Sequence, residues 1–170
     1  MKLKRIIRTF LILIILSSNI GCDQISKSIV RQRLVKDESI SLLSNYMTLT
    51  RVENTGAFLS TGHDLPQPLK LLLLTILPAL VLGLGFVFVL TKKNLSNVMT
   101  LGVCFVVGGG IGNIYDRIRI GSVTDFLHLD FVLFQTGIFN MADVSIMCGM
   151  ALIIIDSYFK RAALNEETTA

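Results

Sequence analysis

Two long stretches of this chain carry no charge: Leu71 to Leu90 gives 20 consecutive positions and Asn94 to Tyr115 gives 22. As a helix, either is long enough to cross a hydrocarbon core of about 30 Å. Keeping two such helices in an aqueous domain would require solvated faces elsewhere in the 170 residues. The composition does not provide them, because 52% of the residues are apolar and only 16% are charged, against about 25% charged in ordinary globular chains. A water-soluble enzyme, a disordered chain and a disulfide-rich secreted module are excluded. A small polytopic membrane protein is left.

Four spans are predicted, at about 6–22, 69–90, 97–116 and 138–159, within a single integral-membrane domain covering 1–170. The first is short, and its basic start followed by Gly21-Cys22 also resembles a lipoprotein signal peptide. Asn19 stands where that motif expects a large aliphatic residue, so a retained first helix is the better reading. The second span carries Pro78, which a membrane helix tolerates. The third ends in Gly108-Gly109-Gly110-Ile111-Gly112-Asn113, a small-residue face that lets helices approach closely. Residues 23–68 form the main polar region. Within it Asn45 to Val52, rich in Thr, Tyr and Val and followed by the turn Asn54-Thr55-Gly56, reads as a β element on the membrane. Residues 117–137 form a second outer loop, expected to be extended.

The net charge is +4, yet its placement argues against a nucleic-acid partner. Lys2, Lys4, Arg5 and Arg8 precede the first span, Lys92 and Lys93 separate the second from the third, and Lys160 and Arg161 follow the last. Basic residues therefore mark membrane edges. Eight fall on each side, but the four beside the first helix usually dominate, which assigns both termini to the cytoplasm. Cys22, Cys104 and Cys148 show no metal-ligand spacing, and neither metal nor cofactor is expected.

A charge near the middle of a span costs about 2.5 to 3.5 kcal/mol on insertion scales, so each needs a reason. Asp143 has 12 uncharged residues on either side. It could cap a helix start or pair with an arginine, but it is not isolated. Asn140 lies three residues earlier and is expected on the same helical face. Asn113, Asp116 and Arg117, spaced i, i+3, i+4, are expected to share a face at the end of the third span, and Asp125 follows nine residues after Asp116. An aspartic hydrolase needs such a gathering. Two carboxylates share a proton, so that one deprotonates water while the other polarises the carbonyl, and the two titrate apart. The sequence has no glycine-flanked serine elbow, no HExxH and no Lys-Ser/Thr after the glycines, and His63 and His128 read as surface or interfacial residues. Two rivals stand beside the hydrolase: a transporter whose aspartates relay protons, and a lipid-anchored structural protein processed at Cys22.

Five blocks in order carry a resemblance: Asp23-Gln24-Ile25-Ser26-Lys27, Asn54-Thr55-Gly56-Ala57-Phe58, Gly108 through Arg117, Val123-Thr124-Asp125-Phe126, and Phe139-Asn140-Met141-Ala142-Asp143. Together, over about residues 6 to 160, the chain resembles bacterial lipoprotein signal peptidase (signal peptidase II). The resemblance implies a mainly α membrane fold of four transmembrane helices with a small extracytoplasmic β-cradle and a surface helix. It implies that Asp125 and Asp143 are the catalytic aspartates of an aspartic endopeptidase. Asn113, Arg117 and Asn140 would position the substrate, Asn54 and Gly56 would belong to the cradle, and Asp23, Lys27 and Asp116 would support the site. Asp23 and Lys27, at i, i+4 with the acid first, could instead be only a local ion pair. The implied partner is a diacylglyceryl-modified prolipoprotein, cut on the amino side of its lipidated cysteine near the outer face of the inner membrane. Membrane lipids are the other implied partner, and the enzyme is expected to act as a monomer. Two departures from the family pattern are Thr124, where an aliphatic residue is usual, and Phe58 directly after Ala57.

Overall fold

The computed structural model describes residues 2–43, 46–57, 61–131 and 133–169, with side chains described as far as Arg161. Phe58 and Asn45 lie outside the described residues. Four helices are long and apolar enough to span a membrane: α1 (Lys2–Arg33), α2 (Gln67–Thr91), α3 (Asn97–Ile120) and α4 (Met141–Thr169, its apolar part ending at Arg161). Between them lies a three-stranded antiparallel sheet in the order β1 (Ser39–Leu42), β2 (Met47–Asn54), β3 (Val123–Leu129).

The first helix does not stop at Cys22. At about 1.5 Å per residue its 32 residues reach about 48 Å, well beyond a 30 Å hydrocarbon core. The extension is held by a buried stripe, Asp23, Lys27, Val30 and Leu34, at helical spacing. Polar residues 23–33 are therefore the last turns of α1, and no separate surface helix stands among the described residues. The third helix likewise runs past Asp116 to Ile120, so Arg117 is helical rather than part of the loop. The fourth starts at Met141, which leaves Ile138 to Asn140 as an approach to its first turn.

Pro78 is absorbed rather than expressed as a break. The six residues before the turn that contains it, Leu71–Ile76, form a π-helix, and Leu77 N–H donates to Leu72 O. The wider i→i−5 turn makes room where the proline ring would meet the carbonyl four residues earlier.

The glycines of α3 make it the central helix. A Cβ on Gly108 would sit 2.8 Å from Asn19 Cβ on α1, and one on Gly110 would sit 2.6 Å from Leu82 Cδ1 on α2. A Cβ on Gly109 would overlap Ala142 O on α4, and one on Gly112 would overlap the Asp23 carboxylate on α1. Three neighbours are thus reached by four glycines within one and a half turns, which is the close approach the small-residue run predicts. Toward the other end, Ile12, Leu16, Val89, Val103, Cys104 and Val107 form the apolar core of the bundle.

Candidate active site

The two faces of the β2–β3 ladder do different work. Val52 pairs with Asp125, Glu53 with Thr124, and Asn54 with Val123. Side chains alternate along a strand, so Asn54 and Asp125 are diagonal neighbours on one face while Glu53 and Thr124 meet on the other. On the second face Thr124 Oγ1 lies 3.1 Å from Glu53 Oε2 and accepts from Arg31 Nε at 2.8 Å, and Phe126 packs on Val30 and Leu34. The sheet is thereby seated on the last turns of α1. Gly121, at φ +75°, ends α3 in the left-handed conformation with its N–H on Arg117 O. The chain turns there into β3 and delivers Asp125 four residues later.

Asp125, 5% exposed, is bound by neutral amides. Its Oδ2 accepts from Asn54 Nδ2 at 2.9 Å and its Oδ1 from Asn140 Nδ2 at 2.6 Å. Burial, which these two donors only partly offset and the nearby Asp143 reinforces, pushes its carboxyl up to about 6. Asp143 is held differently. Asn140 Oδ1 accepts from Asp143 N–H at 3.0 Å while Asp143 Oδ2 accepts from Asn140 N–H at 3.1 Å, a reciprocal capping box at the start of α4. Asn140 therefore precedes the helix as its cap, and does not share a helical face with Asp143. The second oxygen of Asp143 accepts from Asn113 Nδ2 at 2.9 Å. One asparagine thus holds each end of the arrangement together: Asn140 donates to Asp125 and caps the helix of Asp143, and its Nδ2 also reaches Asn113 Oδ1 at 3.2 Å.

Both carboxylates, with Asn54, Asn113 and Arg117, line one cavity of about 40 Å³. That is enough for a water molecule among polar partners. Arg117 Nη2 donates to Gly56 O at 2.9 Å, and Gly56 N–H in turn donates to Asn54 Oδ1 at 2.9 Å, so the turn after β2 is fastened to α3. Arg117 Nε is buried without a hydrogen-bond partner. Neither His63 nor His128 lines the cavity. Among the described residues no three His, Cys, Asp or Glu side chains gather as a metal site would need.

Asp116 does not share the cavity face with Asn113 and Arg117. It turns to α1, where Lys27 Nζ lies 3.1 Å and Arg31 Nη2 2.8 Å from its oxygens. Lys27 also meets Asp23 Oδ2 at 2.9 Å and donates to Asn113 Oδ1 at 2.9 Å. The i, i+4 pair of Asp23 and Lys27 is thus real but is one edge of a buried cluster joining two helices. Asp23 reaches a third, accepting from Ala142 N–H in the first turn of α4 at 3.0 Å.

The family model described as Signal peptidase (SPase) II matches residues 12–159. The lipoprotein signal peptidase of Streptococcus pneumoniae is 34% identical over 156 residues, 91% of this chain and 94% of that one. That of Borrelia garinii is 35% identical over 164 residues, 92% and 95% of the two chains. The chain belongs to the signal peptidase II family. It is accordingly a peptidase, and the proton-relaying transporter and the structural lipoprotein are set aside. The fold agrees: a solved bacterial membrane enzyme superposes with a TM-score of 0.80 at 24% identity, covering 90% of each chain.

The sequence reading missed several residues that hold the second face of the sheet. Gln24, Arg31, Glu53 and Ser122 tie α1, α3 and the sheet together, with Gln24 Nε2 on Gly112 O at 3.1 Å and Ser122 Oγ on Glu53 Oε2 at 2.8 Å. Gln24 stands inside one of the five blocks, and Arg31 lies one turn beyond Lys27, a spacing that could have drawn attention to it. Glu53 and Ser122 give no signal without the strand register. Asp130, the next acid after Asp125 in the chain, is exposed and does not line the cavity.

Proposed function

We propose that the chain is an intramembrane aspartic endopeptidase that removes the signal peptide of diacylglyceryl-modified prolipoproteins by cutting on the amino side of the lipidated cysteine. The observation that carries this reading is that the Asp125 and Asp143 carboxylates line one water-sized cavity, each oriented by asparagine amides. Asp143 takes a proton from the water held there as it attacks the scissile carbonyl. Asp125, whose carboxyl keeps its proton to a higher pH than usual, donates a hydrogen bond to the carbonyl oxygen as charge develops on it. The tetrahedral intermediate then collapses as a proton passes to the leaving amine. The unpartnered Arg117 Nε is a donor available to a substrate carbonyl, and Asn54, Gly56, Asn113 and Asn140 fix the positions of the reacting groups.

In this reading the carboxylates act at the outer face of the bacterial inner membrane, with both termini in the cytoplasm. The lipid anchor and signal helix of the substrate enter sideways from the bilayer, and the protein acts as a monomer without a cofactor. Its test is incubation of the purified protein with a diacylglyceryl-modified prolipoprotein and with the same chain unlipidated. A mass loss equal to the signal peptide is expected only for the first. Cleavage of both, or of neither, overturns the substrate assignment.

A further inference from the structure

A second polar site lies at the opposite end of α1. The start of α1 and the end of α2 enclose a cavity of about 360 Å³ lined by Lys2, Lys4, Arg5, Arg8, Leu90 and Lys93. No acidic residue precedes Asp23 in the chain, and among the described residues Lys2, Lys4, Arg5 and Lys93 enter no ion pair. Arg8 is fastened in place, its Nη2 donating to Val89 O at 2.8 Å in the last turns of α2. Lys4 and Arg8 also line a neighbouring trough of about 510 Å³ between α1 and α3, whose walls include Ile7, Leu11, Ile15 and Leu101.

Cations that only set topology need to be near the membrane edge; they need not converge. Here five converge on one cavity, where their mutual repulsion calls for an anion. A free phosphate would answer the charge and leave the apolar trough unfilled. We propose that the two neighbouring cavities, which share Lys4 and Arg8 in their walls, bind one anionic phospholipid, its phosphate among Lys4, Arg8 and Lys93 and one acyl chain along Ile7, Leu11 and Ile15. Basic pockets between membrane helices are suited to such headgroups. A lipid seated there clamps α1 against α2 and α3, and α1 carries Asp23 and Lys27 at its far end.

The test uses the full chain, purified in mild detergent and stripped of lipid. Phosphatidylglycerol and phosphatidylcholine with identical chains are titrated in, and retention is read by native mass spectrometry alongside the thermal melt. Phosphatidylglycerol is expected to be retained at least about tenfold better and to raise the melt. The double variant Lys4→Gln, Lys93→Gln, which leaves Lys2, Arg5, Arg8 and Lys92 to hold the topology, is expected to weaken retention about fivefold per charge. Leu11→Trp keeps every charge but fills the trough from an exposed position, and is expected to weaken retention to a similar extent. Equal retention of the two lipids overturns the proposal, as does undiminished retention in Leu11→Trp. A melt raised as much by inorganic phosphate as by phosphatidylglycerol would reassign the cavity to a free anion. The readout is lipid retention and not cleavage, so the outcome is independent of the peptidase mechanism.

Discussion

Two pairs of aspartates stand side by side in this protein and are treated in opposite ways. Asp23 and Asp116 are fully buried and bonded to cations, Lys27 between them and Arg31 beyond. Asp125 and Asp143 take their side-chain bonds from neutral asparagine amides and open on a cavity. A buried carboxylate bonded to a cation is locked to it, because removing either partner strands the other. A carboxylate held by amides is oriented without a formal counter-charge. The first pair can build a frame and the second can do acid–base work. Asn113 joins them, with its Oδ1 on Lys27 and its Nδ2 on Asp143.

The largest test of this contrast is to neutralise the second pair. Asp125→Asn and Asp143→Asn should each lower cleavage of a lipidated substrate by about 10⁴-fold, the scale of losses when a catalytic unit is disabled, while the protein still inserts and melts as a folded species. Retained cleavage in either variant would erase the distinction between the pairs. Breaking the first pair should act the other way round. Lys27→Met leaves the buried Asp23 without a cation and Asp116 with Arg31 alone, and a loss of about 3–5 kcal/mol should appear as a lower melting temperature and reduced accumulation in the membrane.

Smaller effects sharpen the comparison. Gly112→Ala pushes a methyl group into the Asp23 carboxylate, and a destabilisation of about 1–3 kcal/mol is expected in a thermal melt. With the Asp125 carboxyl raised to about 6, its protonated form is lost as pH rises through that value. kcat/KM should therefore fall on the alkaline side with an apparent pKa near 6, whereas an amide-held group of ordinary acidity would give a flat profile there. By the same sign, any stability contributed by the protonated Asp125 is present at low pH and lost above about 6. The smallest change is Thr124→Val, which removes the hydroxyl between Arg31 and Glu53. A loss of about 1–2 kcal/mol with only a modest drop in rate is expected, because the bond lies on the strand face turned away from the cavity.

The charge-free runs determined the membrane class and two of the four spans, since the hydrocarbon core leaves a long apolar stretch little else to become. The local spacing of polar residues near Asp143 and after Gly112 located the site within a few turns. Its wiring was not legible there. Asp116 and Arg117 are neighbours, yet one faces Lys27 on α1 and the other the cavity, a choice made by which helix lies on each side of α3. Asn140 reads as a helical neighbour of Asp143 and is instead its cap, because the chain enters α4 from the sheet only after Asn140. The two roles of the strand residues depend on register, which sets Asn54 beside Asp125 and Glu53 beside Thr124. The sequence alone determined which residue types are scarce enough to matter, because a bilayer penalises each buried charge. Only the tertiary structure decided which of those charges meet a cation and which meet an amide, because that depends on contacts between helices and strands far apart in the chain.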